Sequence, residues 1–82
     1  MNQSLIEALS LIQDGDWDAA HDIVQDLSSP EAARIHAHLH RIEGDSGNAS
    51  YWYNRAGVEF PTASIEDEWQ QIFAALSDGK QD

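Results

Sequence analysis

The chain has 82 residues and a formal net charge of −11, fifteen Asp and Glu standing against four Lys and Arg. Such a charge repels phosphate backbones and anionic lipid, so neither nucleic acid nor a membrane surface is an expected partner. The absence of cysteine excludes disulfides, thiolate nucleophiles and thiolate-bound zinc. No apolar run is long enough for a signal peptide or a span, which makes the cytoplasm the expected compartment and a single domain over 1–82 the expected organisation.

Five helices are expected, in an all-α chain. The first, 4–14, opens on Ser4 with Glu7 three positions later, the reciprocal capping pattern, and carries Leu5, Leu9 and Ile12 on one stripe. Gly15 ends it, and Asp16 starts the second, 16–28, with Trp17, Ala20, Val24 and Leu27 inward. Ser29 before Pro30 marks the third, 30–43, on the stripe Ala32, Ile35, Leu39 and Ile42. Gly44 and Asp45 repeat the joint ahead of the fourth, 45–56, which buries Ala49, Tyr53 and Ala56 before Gly57 and Pro61 stop it. Ser64 with Asp67 opens the fifth, 64–77, whose Ile65, Trp69, Ile72, Phe73 and Leu76 form the most apolar stripe, and Gly79 closes it. Nothing alternates with the period of a strand. The short connections fold neighbouring helices back on one another, giving two antiparallel helical hairpins plus a C-terminal helix that completes the core.

A weak internal repeat aligns Gly15-Asp16 with Gly44-Asp45 and Ala20 with Ala49. Ala49, Tyr53, Ala56 and Pro61 resemble the A-x3-F/Y-x2-A-x4-P spacing of the second helix of tetratricopeptide repeats, in which small alanines let helices approach closely. The first unit departs from it, with Leu27 in place of the second alanine and Pro30 too early. The run from Gly15 to Gly57 is also similar to a group of small bacterial proteins sharing a GDWDAAH…LHRxEGDxxNAxYWYxRAG core. That resemblance implies no particular reaction.

Residues 34–55 gather three of the four cationic side chains, Arg34, Arg41 and Arg55, and three of the four histidines, against only Glu43 and Asp45. At about 100° per residue, His36, His40 and Glu43 fall on one flank of the third helix and His38 on the other. His21 lies beside the stripe of the second helix, while Asn48, Trp52 and Arg55 line an edge of the fourth. Stacked hairpins bring these three edges into one groove.

Three uses of the groove compete. It is a structural network in which Glu43 or Asp45 pairs with Arg41 or Arg55 and the histidines bridge helices. It is a recognition surface for a protein segment or a small, anionic ligand, lined by His21, His36, His40, Arg41, Glu43, Asn48, Trp52 and Arg55. Or it is the centre of a small metal-assisted enzyme in which His36, His40 and Glu43, at i, i+4 and i+7, share an ion with His21. Recognition is the leading expectation, with no cofactor. Neither a Gly-rich phosphate loop nor a nucleophile elbow supports other chemistry. Adjacent Tyr51 and Trp52 cannot both point inward, so one of them faces outward, suited to a partner or a homodimer contact.

Overall fold

A computed structural model describes residues 3–78, in which every regular element is helical: α1 (Gln3–Gln13), α2 (Trp17–Gln25), α3 (Pro30–Ile42), α4 (Ser46–Ala56) and α5 (Ile65–Asp78). The Gly79 stop lies outside the described residues. None of these helices is long and apolar enough to cross a membrane.

The joints of the two hairpins are built alike. Asp16 N–H donates to Leu11 O and Gly15 N–H to Ile12 O; Asp45 N–H donates to His40 O and Gly44 N–H to Arg41 O. Both are Schellman closures, and they require a left-handed residue at the turn, which Gly15 and Gly44 provide with φ near +81° and +84°. The aspartate that completes each closure also caps the next helix: Asp16 Oδ1 accepts from Ala19 N–H and Asp45 Oδ1 from Asn48 N–H. One Gly-Asp pair thus ends a helix, turns the chain and starts the antiparallel partner.

Two starts follow the expected chemistry and one does not. Ser29 Oγ caps α3 ahead of Pro30, and Ser64 Oγ accepts from Asp67 N–H at the head of α5. Ser4, however, lies inside α1, which already begins at Gln3. α2 also ends at Gln25, short of position 28, because Pro30 requires an extended residue before it and Ser29 takes that conformation at ψ 155°. Leu27, expected on the inner stripe, is consequently 39% exposed.

α3 is the hub, in contact with each of the other four helices. Its buried residues, Ala32, Ala33, Ile35, His36, Ala37, His38 and Leu39, surround its middle turns on nearly every side, with exposure left to its two ends at Pro30, Glu31 and Ile42. On one side it shares the main core with Leu5, Ala8, Leu9, Ala20, Val24, Ile72 and Leu76. On the other, Ala37 meets Ala49 and Tyr53 of α4, with Trp52 against them. α5 closes the main core against α1 and α3, and Trp69 Nε1–H donates to Leu9 O.

The inward face of α5 differs from the expected stripe. Glu68, Ile72 and Leu76 are buried, at i, i+4 and i+8, while Ile65 and Phe73 are exposed and Trp69 is half-buried. Ile42, at the last turn of α3, is likewise exposed rather than in the core. The face of α5 is turned toward Glu68 because that carboxylate finds cations on α3.

Candidate functional site

Two polar constellations flank α3, and they divide between them all but Asn48 of the residues that the sequence placed in one groove. The first surrounds Glu68, whose side chain is 0% exposed. His38 Nδ1–H donates to Oε1 at 2.7 Å and Arg41 Nη1 at 2.9 Å; Tyr53 Oη lies 2.7 Å from both carboxylate oxygens, and Arg34 Nε is 3.8 Å from Oε2. Arg41 also donates through Nη2 to Ala63 O. Burial alone would raise the Glu68 pKa, but the hydrogen bonds from His38, Tyr53 and Arg41 outweigh it and hold the carboxyl below its ordinary value. Burial, followed by the same carboxylate, pushes the Tyr53 phenol well up. This is a structural knot tying α3 and α4 to α5, and Arg41 belongs to it rather than to the groove.

The second constellation is a column of rings running from α2 across α3 to α4. Trp17 stacks on His21 at 4.8 Å between centroids, His21 meets His36 edge-on at 4.6 Å, and His36 stacks on Trp52 at 4.0 Å. His40 closes the group, 5.0 Å from His36 and 5.6 Å from His21. Beyond Trp52 the Arg55 guanidinium lies 5.3 Å over the indole and 5.8 Å over Tyr51, whose hydroxyl accepts a hydrogen bond from Nη1.

Local sequence explains each position. His36 and His40 are one helical turn apart on α3, so their rings share a face. Trp17 is fixed at the head of α2 by donating Nε1–H to Leu39 O at 2.7 Å, which sets the indole against which His21, one turn later, stacks. Tyr51 is exposed and Trp52 half-buried, so the adjacent pair splits as the helical angle demands. His40 Nδ1 lies 2.7 Å from Glu43 Oε2, one turn on. Asn48 lies elsewhere: its side-chain amide donates to Asp45 Oδ2, and it helps to cap α4.

The ring column is electrostatically distinctive at His36. The residue is 5% exposed, and its Nδ1 is buried with no hydrogen-bond partner. Burial, then the neighbouring His21 and His40, lower its pKa from 6.5 to about 4, so the ring is neutral at pH 7 and retains a nitrogen lone pair. One ring nitrogen from each of His21, His36 and His40 lies within 4.8 Å of the others.

At the α4 end, a cleft of about 240 Å³ opens between the α2–α3 loop and α4, with Asp26, Leu27, Ser28, Ala33, Trp52 and Arg55 in its walls. Among the described residues no carboxylate pairs with Arg55, whereas Arg34 and Arg41 both face Glu68. Sequence reasoning missed Leu27 as a wall of this cleft and Glu68 as the centre of the knot. The signal for Glu68 was its place four residues before Ile72 and eight before Leu76, on a face where an acid requires a buried cation.

No protein-family model, curated protein or solved structure matches the chain.

Proposed function

We propose that the protein is a recognition module that takes an acidic protein segment at the cleft between the α2–α3 loop and α4, with Arg55 binding the anion and Trp52 as the apolar wall. The observation that carries this reading is the position of Arg55: exposed, held across two aromatic faces, and without a carboxylate partner among the described residues in a chain of net charge −11. A guanidinium presented in this way offers a planar fork to a carboxylate or phosphate.

The size of the cleft favours a segment over a free small molecule. At about 240 Å³ it falls below the roughly 300–1,000 Å³ of ordinary ligand pockets and suits one acidic side chain or a chain terminus. Leu27 and Trp52 supply apolar contact, and Asp26 and the Ser28 hydroxyl supply acceptors for the segment's N–H groups. Repulsion from the acidic remainder of the chain is screened beyond about 8 Å at physiological salt, which leaves Asp26 in the cleft wall as the acid that the segment must orient away from. The stack of helical hairpins, in keeping with a tetratricopeptide-like architecture, supports the same use, since such stacks bind extended segments on their faces.

Tryptophan fluorescence titrated with an acidic peptide, with acetate and with phosphate tests this. Saturable binding of the peptide, lost in Arg55→Ala and partly kept in Arg55→Lys, is the expected result. Binding unchanged in Arg55→Ala, or no binding of any probe, defeats it; binding of phosphate alone points to a small anion instead. The second reading, metal-assisted chemistry by His21, His36, His40 and Glu43, is favoured by the convergence of the three imidazoles, and its first requirement is an ion site.

A further inference from the structure

We propose that His21, His36 and His40 form a binding site for a divalent first-row transition ion, with Glu43 as the carboxylate that orients His40. The three ring nitrogens come from two helices and lie within 4.8 Å of one another. A tetrahedral ion with nitrogen at about 2.0–2.1 Å needs them roughly 3.4 Å apart, a closing of each separation by at most about 1.4 Å. His21 and His40 are half-buried, and rotation of their rings supplies it.

Three features distinguish this cluster from histidines that merely fill space. His36, like His38 in the knot, has a buried nitrogen with no hydrogen-bond partner, which costs free energy unless something satisfies it, but the His36 ring also faces the imidazoles of His21 and His40. His40 Nδ1 is engaged by Glu43 Oε2 at 2.7 Å, which leaves Nε2 as the ligand atom and reproduces the carboxylate–histidine pairing that fixes the orientation of metal-bound imidazoles. The outer flanks are held: Trp17 stacks on His21 and Trp52 on His36, so the rings stay gathered before any ion arrives.

A competing set, His40, Glu43 and Asp45, also has its atoms within 4.8 Å, but its members are already occupied. Both Asp45 oxygens accept from Asn48, and Glu43 holds His40. An all-nitrogen donor set selects zinc, nickel or copper and disfavours calcium and magnesium, which require oxygen. Three histidines leave a fourth coordination position open, as in exchangeable and catalytic sites rather than closed structural ones.

The ion site shares Trp52 with the recognition cleft but not Arg55, so Arg55→Ala separates failure of the one reading from failure of the other. Its test is calorimetric titration of the chelator-treated full chain with zinc, paralleled by nickel titration read as quenching of Trp17 and Trp52. One equivalent of each metal should bind, with no heat from calcium. His21→Gln and His40→Gln should each weaken zinc at least about tenfold and Glu43→Gln by roughly tenfold, while Asp45→Asn, which retains the helix cap, and Arg55→Ala leave it unchanged. Both histidine variants are at half-buried positions, and circular dichroism checks their fold. Absence of saturable binding at millimolar zinc overturns the proposal, as does wild-type affinity in His21→Gln. Loss of binding in Asp45→Asn with His21→Gln unaffected also overturns it, by moving the ion to the surface set.

Discussion

Replacing Glu68 by leucine removes the acceptor at the centre of the α3–α4–α5 knot and leaves its donors facing one another. Leucine fills much of the volume, so the cost is electrostatic: the Arg41 guanidinium loses its 2.9 Å partner, the fully buried His38 Nδ1–H and the Tyr53 hydroxyl lose 2.7 Å contacts, and Arg34 loses a facing charge. Stranding one side of a buried ion pair typically costs about 3–5 kcal/mol. A chain of this length has about 4–12 kcal/mol of stability in all, so the variant should lie near the edge of folding, with its melting temperature lowered by on the order of 15 °C or more.

Tyr53→Phe keeps the packing and deletes one charge-assisted hydrogen bond. It should cost about 1.5–2 kcal/mol, the lower part of the range for such bonds, because Glu68 keeps its other donors. Urea unfolding followed by tryptophan fluorescence measures both changes. Adding Tyr53→Phe to Glu68→Leu should then cost almost nothing, since the shared partner is already gone. A Glu68→Leu protein within about 0.5 kcal/mol of wild type, or additive effects of the two substitutions, would refute the assignment of this carboxylate as the tie between the helices. The knot also fixes a pH response: because the folded pKa of Glu68 lies below its ordinary value, its contribution is complete above the carboxylate range and is lost as pH falls through the folded value.

A second acid-sensitive window belongs to His36. Its pKa falls from 6.5 to about 4 on folding, so the unfolded chain binds a proton that the folded one refuses, and stability should decline between those values by on the order of 3 kcal/mol. His36→Phe in chelator-treated protein should flatten that part of the pH profile; an unchanged profile would count against a neutral, buried ring. Ala49→Leu should overpack the joint with Ala37 and Tyr53 and cost about 1–3 kcal/mol, with Ala56→Leu, at a half-buried position, costing less; calorimetry ranking them in reverse would contradict the close approach of α3 and α4. Arg55→Ala, by contrast, should change stability by no more than about 0.5 kcal/mol, because its side chain is exposed; a loss of several kcal/mol would make it part of the scaffold.

The helices were legible because their ends are encoded locally. Gly-Asp and Ser-Pro pairs satisfy the orphan backbone groups of a helix terminus by themselves, so α2, α3 and α4 start within a residue of the expected positions. The phase of α5 was not legible from hydrophobicity, which counts Glu68 as outward. Its burial depends on Arg41 and His38, 27 and 30 residues earlier in the chain, a pairing that no local pattern contains. For the same reason Arg41 was placed in the groove: helical phase locates a side chain on its own helix, but a long guanidinium goes to the nearest buried carboxylate. The grouping of His21, His36 and His40 was legible, since i, i+4 spacing and a short connection suffice to bring those rings together. Leu27 was misjudged because the pull of Pro30 on the preceding backbone ended α2 early.

The central claim, that the Arg55–Trp52 cleft is where a partner is recognised, is tested most directly by amide and side-chain chemical shifts during titration with an acidic peptide. The Trp52 indole N–H, the Arg55 Nε–H and the amides of Leu27 and Ser28 should move together and saturate at one peptide per chain, and the Trp69 indole N–H should stay still. Shifts confined to other residues, or none up to millimolar peptide, would contradict it.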